Sequence, residues 1–145
     1  MANFPTIRGI GSTEEAEKCY LSGYNGTGAV VAQGSPVCWD VGTNDGKTFE
    51  DPVTANFDLA VGIAETTVGT AAYTDRIVAY GPVEARTYGV ATTFVPGANL
   101  SLVTGKTYLA YNSQTTVLSQ RRIFTAMQTN ATVDTNLTTI HVHAL

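Results

Sequence analysis

Charged residues are scarce in this sequence. They make up 14% of its 145 residues, against roughly 25% in ordinary soluble domains. The net charge is −4, and an acidic chain does not attract phosphate backbones, so we expect no nucleic-acid partner. A surface this poor in charge indicates that neighbouring molecules cover part of it. The alternative is a threonine-rich β-protein whose hydroxyl groups keep it soluble.

Cysteine and long apolar runs are also scarce. The two cysteines, Cys19 and Cys38, have no metal-like spacing, and the opening MANFPTIRGIG lacks the pattern of a secretory signal. We therefore expect two reduced thiols, with a disulfide as the less favoured alternative. No apolar run approaches the roughly 20 residues of a membrane span, so we expect no membrane partner.

Reactive groups in a catalytic arrangement are missing. The sequence contains no Ser-His-Asp set in a recognisable frame and no phosphate-binding loop followed by a lysine. Cys38 lies in the run PVCWDV, where alternation places it opposite Val37 and Trp39; this favours an ordinary strand position over a nucleophile. We expect Trp39 to anchor a core. No catalytic residue and no cofactor are predicted, and the protein is not expected to be an enzyme.

The C-terminal run HVH places His141 and His143 on one face of a strand, because side chains alternate. Such a pair can supply two metal ligands, but the sequence indicates no third. We interpret the pair as an exposed polar strand face and predict no metal. A hydrolase or metal enzyme that uses both histidines is the alternative.

Glycine recurs every few residues up to Gly105 and is absent from the last 40 residues. The short runs between the glycines are rich in β-forming residues, which is typical of a mainly β protein, either a small β-barrel or a sandwich. TNDG at 43–46 predicts a hairpin turn. The run LAVGIA at 59–64 predicts a strand with Leu59, Val61 and Ile63 on one face.

The N-terminal part has a different pattern. Residues 1–11 are apolar without periodicity and predict an extended arm, which packs either on its own domain or on a neighbour. Ser12 and Glu15 form a capping-box pattern, which predicts one short helix that includes 16–21 and ends by Gly23. The predicted domains are the arm, 1–11, and a single β-rich domain, 12–145. Within that domain, 29–86 is barrel-like and 105–145 supplies additional strands.

Three segments carry a resemblance to a known family: VVAQGSPVCWD at 30–40, FDLAVGIAETT at 57–67 and RIVAYGPVEA at 76–85. Their short motifs lie at 34–37, 61–64 and 78–83. This part of the chain resembles the small β-barrel decoration, or cement, proteins on the heads of tailed bacteriophages. Gly34, Gly62 and Gly81 also have an independent explanation, as turns or bulges where barrel strands bend.

The resemblance implies a structural virion protein, made in the host cytoplasm, that binds the outer surface of a phage capsid. Its partner would be the major capsid protein, and it would stabilise the shell as a homotrimer by adhesion between capsid subunits. An N-terminal arm would order on the capsid and add a strand to its sheet. The last third of the chain has no counterpart in a minimal barrel; it is an extra sheet, a trimer-forming element or an outward projection.

The predicted contact residues come from the arm and from the one adjacent pair of basic residues. Without the resemblance, that pair is more simply a solvated strand edge. Two other functions stay open: a component of a phage tail, neck or baseplate, and a glycan-binding β-sandwich whose tyrosines stack on sugars. The contact residues are Phe4, Ile7, Arg8, Ile10, Arg121 and Arg122.

Overall fold

The computed structural model describes residues 18–43, 45–88, 95–111, 123–129 and 136–144. The described part is mainly β, as predicted. None of its helices is long and apolar enough to cross a membrane. Its elements are β1 (Cys19–Asn25), β2 (Pro36–Trp39), β3 (Thr48–Glu50), a 3₁₀ helix (Thr54–Leu59), β4 (Ala60–Ala64), β5 (Tyr73–Tyr88), β6 (Asn99–Leu102), β7 (Leu109–Tyr111), β8 (Phe124–Ala126) and β9 (Asn136–His143).

Five strands close a β-barrel in the order β1-β3-β2-β4-β5, and β5 pairs with β1 to complete it. The remaining strands continue from β5 in the order β7-β6-β8-β9, and β9 pairs with β5 again. They therefore form a second ring that shares β5 with the barrel. The described strands within 105–145 are β7, β8 and β9, and all three belong to this ring.

The long strand β5 serves the barrel and the second ring with different halves. Tyr73 to Tyr80 pair with β1, whereas Tyr80 to Thr87 pair with β9. The change of partner coincides with Gly81, whose φ of +109° bends the strand. β5 is therefore continuous from Tyr73 to Tyr88.

The molecule has two apolar cores. The barrel core contains Phe49 and Ile77, both with no exposed surface, and Trp39 packs against it as predicted. The second core, inside the second ring, contains Phe124 and Ile140. Side chains from barrel strands also pack into this second core. Three of them are buried and point away from the barrel interior: Cys38, Ile63 and Val78.

The bulge at Gly62 allows β4 to serve both cores. The pairing of β2 with β4 shifts register between Val37 and Cys38, next to Gly62. Val61 consequently points into the barrel core and Ile63 into the second core. The predicted common face of Leu59, Val61 and Ile63 is wrong, because the bulge inverts the alternation and because Leu59 ends the 3₁₀ helix. The predicted role of Gly62 in a bulge is confirmed.

The N-terminal helix is corrected where the structure describes it. Cys19 to Leu21, predicted as helical, lie in β1, which pairs antiparallel with β5 and parallel with β3. Gly23 and Asn25 are buried in this strand, so tertiary pairing prevails over the local capping signal. The barrel therefore includes β1 in addition to the predicted 29–86. The helix start at 12–17 and the arm at 1–11 lie outside the described residues.

Both cysteines are unpaired, as expected: Cys19 is exposed and Cys38 is buried. Burial, reinforced by the nearby charges of Glu50 and Asp51, raises the pKa of Cys38 to about 12. A thiol with that pKa stays protonated at neutral pH and is a poor nucleophile. The interpretation of Cys38 as an ordinary strand residue agrees with this environment.

The predicted hairpin is confirmed: β2 pairs antiparallel with β3, and the sequence TNDG lies between the two strands. Gly46 has φ +68°. The Asp45 carboxylate accepts hydrogen bonds from the amides of Lys47 and Thr48, at 2.9 and 2.8 Å, and from the Thr48 hydroxyl at 2.7 Å. The amide of Lys47, followed by the hydroxyl and amide of Thr48, lowers the pKa of Asp45 from the usual 3.8 to about 2.

We predict that Asp45 contributes to acid sensitivity. Its pKa is lower in the folded state than in the unfolded state, so its stabilising effect is present above pH 4 and is lost as the pH falls from about 4 to about 2. Urea midpoints measured over this range will fall less steeply for Asp45→Asn than for the wild type. Asp75→Asn is the control, because Asp75 is an exposed acid outside the turn. An equal slope in wild type and Asp45→Asn would contradict the assignment.

Candidate interaction surface

Two loops at one end of the barrel are joined into a single surface. Val31 and Val68 form an isolated antiparallel bridge, in which each amide donates to the other residue's carbonyl at 2.9 and 2.8 Å. Both valines are buried. The bridge holds together the segments 26–30 and 69–73, which we call the loop face.

The buried side chain of Asn25, at the end of β1, makes hydrogen bonds to both segments of the loop face. Its side chain is 1% exposed, and its Nδ2 donates to the carbonyls of Ala29 and Gly69 at 2.8 and 2.9 Å. Its Oδ1 accepts from the amide and the hydroxyl of Thr27. One buried side-chain amide therefore bonds to both loops, so the loop face is already ordered before a partner binds.

The loop face carries no charge. No Asp, Glu, Lys or Arg occurs in 19–39 or in 66–74, which together contain the whole face. Two large apolar side chains on it are open to solvent: Val30 is 60% exposed and Tyr73 is 71% exposed. The Tyr73 ring packs against Tyr24 with centroids 5.0 Å apart, which limits its motion. An uncharged surface with an exposed aromatic side chain resembles the core of a protein–protein interface.

One residue of the loop face has a strained backbone. Ala71 has φ +53°, and it is the only non-glycine residue with positive φ in the part of the chain that the structure describes. This conformation costs an L-amino acid roughly 1–2 kcal/mol. Strain of this kind persists where the surrounding structure imposes it, and it is concentrated at functional segments.

Charged side chains lie beside the loop face. The Glu65 carboxylate accepts a hydrogen bond from Lys18 and lies 3.7 Å from the Arg76 guanidinium, which in turn lies over the Tyr20 ring. Burial acts to raise the pKa of Glu65, but the hydrogen bonds from Lys18 and Tyr20 and the charge of Arg76 outweigh it and lower that pKa. An apolar centre next to charged groups is the usual anatomy of an interface and its rim.

Two cavities of the described part do not form a comparable site. One is mostly apolar, with a volume of about 30 Å³. Its lining is Phe57, Asp58, Leu100, Ser101, Leu102, Ile123 and Phe124. The other, about 190 Å³, is polar and is lined by Lys18, Gln33, Glu65, Val83 and Glu84. Neither lining combines a nucleophile with a histidine base.

The two histidines lie on one face of β9, as predicted. Their rings stack with centroids 4.2 Å apart, and Tyr80 of β5 packs edge-on against both. Burial, followed by the neighbouring His143, lowers the pKa of His141. Among the described residues, no group of three or more His, Cys, Asp or Glu side chains could hold a metal ion.

The described structure does not cover the predicted contact residues. All six of them lie outside the described residues: Phe4, Ile7, Arg8, Ile10, Arg121 and Arg122. Sequence reasoning missed the loop face. The signal that could have found it is the pair of charge-free segments, 19–39 and 66–74, which the barrel brings to one end.

The chain was compared with protein-family models and with curated protein sequences, and neither comparison gave a match.

Proposed function

We propose that this protein is a structural component of a tailed-phage particle that binds the outer surface of the capsid and stabilises the shell by adhesion. The observation that carries the proposal is the loop face: a preformed, uncharged surface with Val30 and Tyr73 exposed on a closed barrel. The resemblance of 30–40, 57–67 and 76–85 to capsid decoration proteins supplies the partner, which is the major capsid protein.

The loop face has the physical properties of an adhesive contact. Its backbone is held by Asn25 and by the Val31–Val68 bridge, so binding requires little ordering of the loops. Burying a side chain such as Val30 gains about 1.5–3 kcal/mol, and Tyr is among the residues that contribute most at interfaces. A homotrimer would present this face three times and gain avidity from simultaneous contacts.

The closed strand order favours contact through loops and side chains. Every strand of the described structure pairs on both sides within the barrel or the second ring. A partner therefore finds no free edge strand among them to extend. In this proposal, strand addition belongs to the N-terminal arm, whose Phe4, Ile7 and Ile10 are predicted to contact the capsid sheet.

The proposed function is tested first by counting copies. Quantitative mass spectrometry of purified particles is expected to find this chain in near-stoichiometric ratio to the major shell subunit. A handful of copies per particle would point instead to tail, neck or baseplate machinery. Absence from the particle would overturn the virion assignment.

A charge placed on the loop face is predicted to weaken adhesion. We expect Val30→Asp to weaken binding to particles that lack this protein by more than about tenfold, because the new carboxylate must be desolvated at the contact. Co-sedimentation with such particles measures the loss. Val41→Asp is the matched control, because Val41 is also exposed, at 47%, but lies in the β2–β3 turn. Equal binding by both variants, each folded by circular dichroism, would show that the loop face is not the contact.

A glycan-binding module is the second candidate, and it rests on Tyr73. This ring is 71% exposed and is supported by Tyr24, as a sugar-stacking platform requires. The other paired tyrosines are less open: Tyr88 and Tyr108 pack together with centroids 5.2 Å apart, and both are half-buried. Glycan-array binding that disappears in Tyr73→Ala would favour this function over capsid adhesion.

A further inference from the structure

We propose that His141 and His143 together chelate a divalent transition-metal ion, of the Zn²⁺, Ni²⁺ or Cu²⁺ class, on the outer face of β9. The proposal does not depend on the proposed capsid function. It rests on the relative placement of the two imidazole rings, which the sequence alone does not provide.

The two rings lie within reach of one ion. Their centroids are 4.2 Å apart and their planes differ by 28°, so the rings stack on the same face of β9. Two nitrogens bound to one tetrahedral Zn²⁺ at about 2.0–2.1 Å lie roughly 3.3 Å apart. In this proposal both side chains rotate out of the stack, with the strand backbone in place, so that one nitrogen of each ring turns toward the shared ion.

The surroundings hold the rings in this position. Tyr80 packs edge-on against His141 and His143, with centroid distances of 5.1 and 6.1 Å. It lies directly opposite His143 across the β5–β9 pairing, and Pro82 lies opposite His141. Tyr80 thus confines both rings to one face, which limits the conformational entropy that is lost when the ion binds.

The remaining coordination positions face solvent. His143 is exposed and His141 is half-buried. Cys19 of β1 pairs with Tyr80 of β5, and Tyr80 pairs in turn with His143 of β9. Cys19 therefore lies two strand spacings away from His143. Glu84 lies opposite Thr139, two residues along from the Pro82–His141 pair. No third side chain of the described residues completes a site, and water fills the open positions. Imidazole favours Zn²⁺, Ni²⁺ and Cu²⁺ over Mg²⁺ and Ca²⁺.

The untagged full-length chain offers a direct test, because these are its only two histidines. Isothermal titration with Zn²⁺ alone is expected to give one ion per chain, and the ring signals of both histidines should shift in NMR spectra. His141→Gln and His143→Gln should each weaken Zn²⁺ binding at least about tenfold. Even the loss of a residue that only supports a metal ligand usually costs this much. EDTA should reverse the spectral change.

Two controls separate this site from others. Cys19→Ser should bind Zn²⁺ as the wild type does, and Tyr80→Phe keeps the ring contacts and should bind similarly. The proposal is overturned if the His141→Gln/His143→Gln double variant binds Zn²⁺ like the wild type. It is equally overturned if Cys19→Ser alone removes binding, or if Zn²⁺ leaves both histidine signals unmoved.

Discussion

Replacing Gly62 by alanine is expected to prevent stable folding. A Cβ atom at this position would lie 2.0 Å from the Val78 carbonyl oxygen and 3.2 Å from the Ala79 Cα. Both contacts are with the backbone of β5, so no side chain can rotate away. Gly62 also has φ +154°, which L-residues rarely adopt. We expect a loss of more than about 4 kcal/mol in the free energy of unfolding, the exceptional class of point substitutions.

Gly105→Ala is the matched control for Gly62→Ala. Gly105 also has a positive φ, +67°, but a Cβ there meets nothing within 4 Å. Only the backbone cost of roughly 1–2 kcal/mol is then expected. Urea unfolding of both variants measures the difference. If Gly62→Ala were no less stable than Gly105→Ala, the close approach of β4 to β5 at the bulge would be disproved.

Truncating one phenylalanine in each core is expected to destabilise the whole protein. Phe49 fills the barrel core and Phe124 the second core, and they are 0% and 2% exposed. Phe49→Ala and Phe124→Ala should each cost about 3–5 kcal/mol, the usual cost of a large cavity in a core. Because β5, Cys38, Ile63 and Val78 connect the cores, each variant should still unfold in a single transition.

Trp39 makes this prediction checkable. It is the only tryptophan and packs against the barrel core, so its fluorescence reports on that core alone. In Phe124→Ala, the urea midpoint by fluorescence should fall together with the midpoint by far-ultraviolet circular dichroism. A fluorescence midpoint unchanged from the wild type would mean that the barrel unfolds independently of the second ring. Val41→Ala, at an exposed turn position, should leave both midpoints in place.

Local patterns predicted the fold class well. Short β-rich runs between glycines indicated the barrel, and the alternation of Val37, Cys38 and Trp39 was correct because both faces of β2 are buried in different cores. The turn at 43–46 was correct because its Asp and Gly act within a few residues of each other. Such signals depend on neighbours in sequence, so a single sequence contains them.

The features that depend on distant pairing were not predicted. Local signals predict a helix at 16–21, although Cys19 to Leu21 lie in β1, because the partners of β1, β3 and β5, lie far away in sequence. The inverted alternation in β4 follows from the register shift against β2, which no local pattern shows. The loop face requires 26–30 and 69–73 to meet, which the Val31–Val68 bridge brings about. The six predicted contact residues lie outside the described structure and stay predictions.

The strand shared by the barrel and the second ring has a mechanical consequence. β5 is one unbroken backbone of 16 residues, at most roughly 50 Å when extended. A force applied at the loop face, next to Tyr73, reaches the far end of the second ring at Tyr88 through covalent bonds. Hydrogen-bonded strands flank it along this path, so tension would load many hydrogen bonds in shear together. We therefore expect the barrel and the second ring to yield together under a pull.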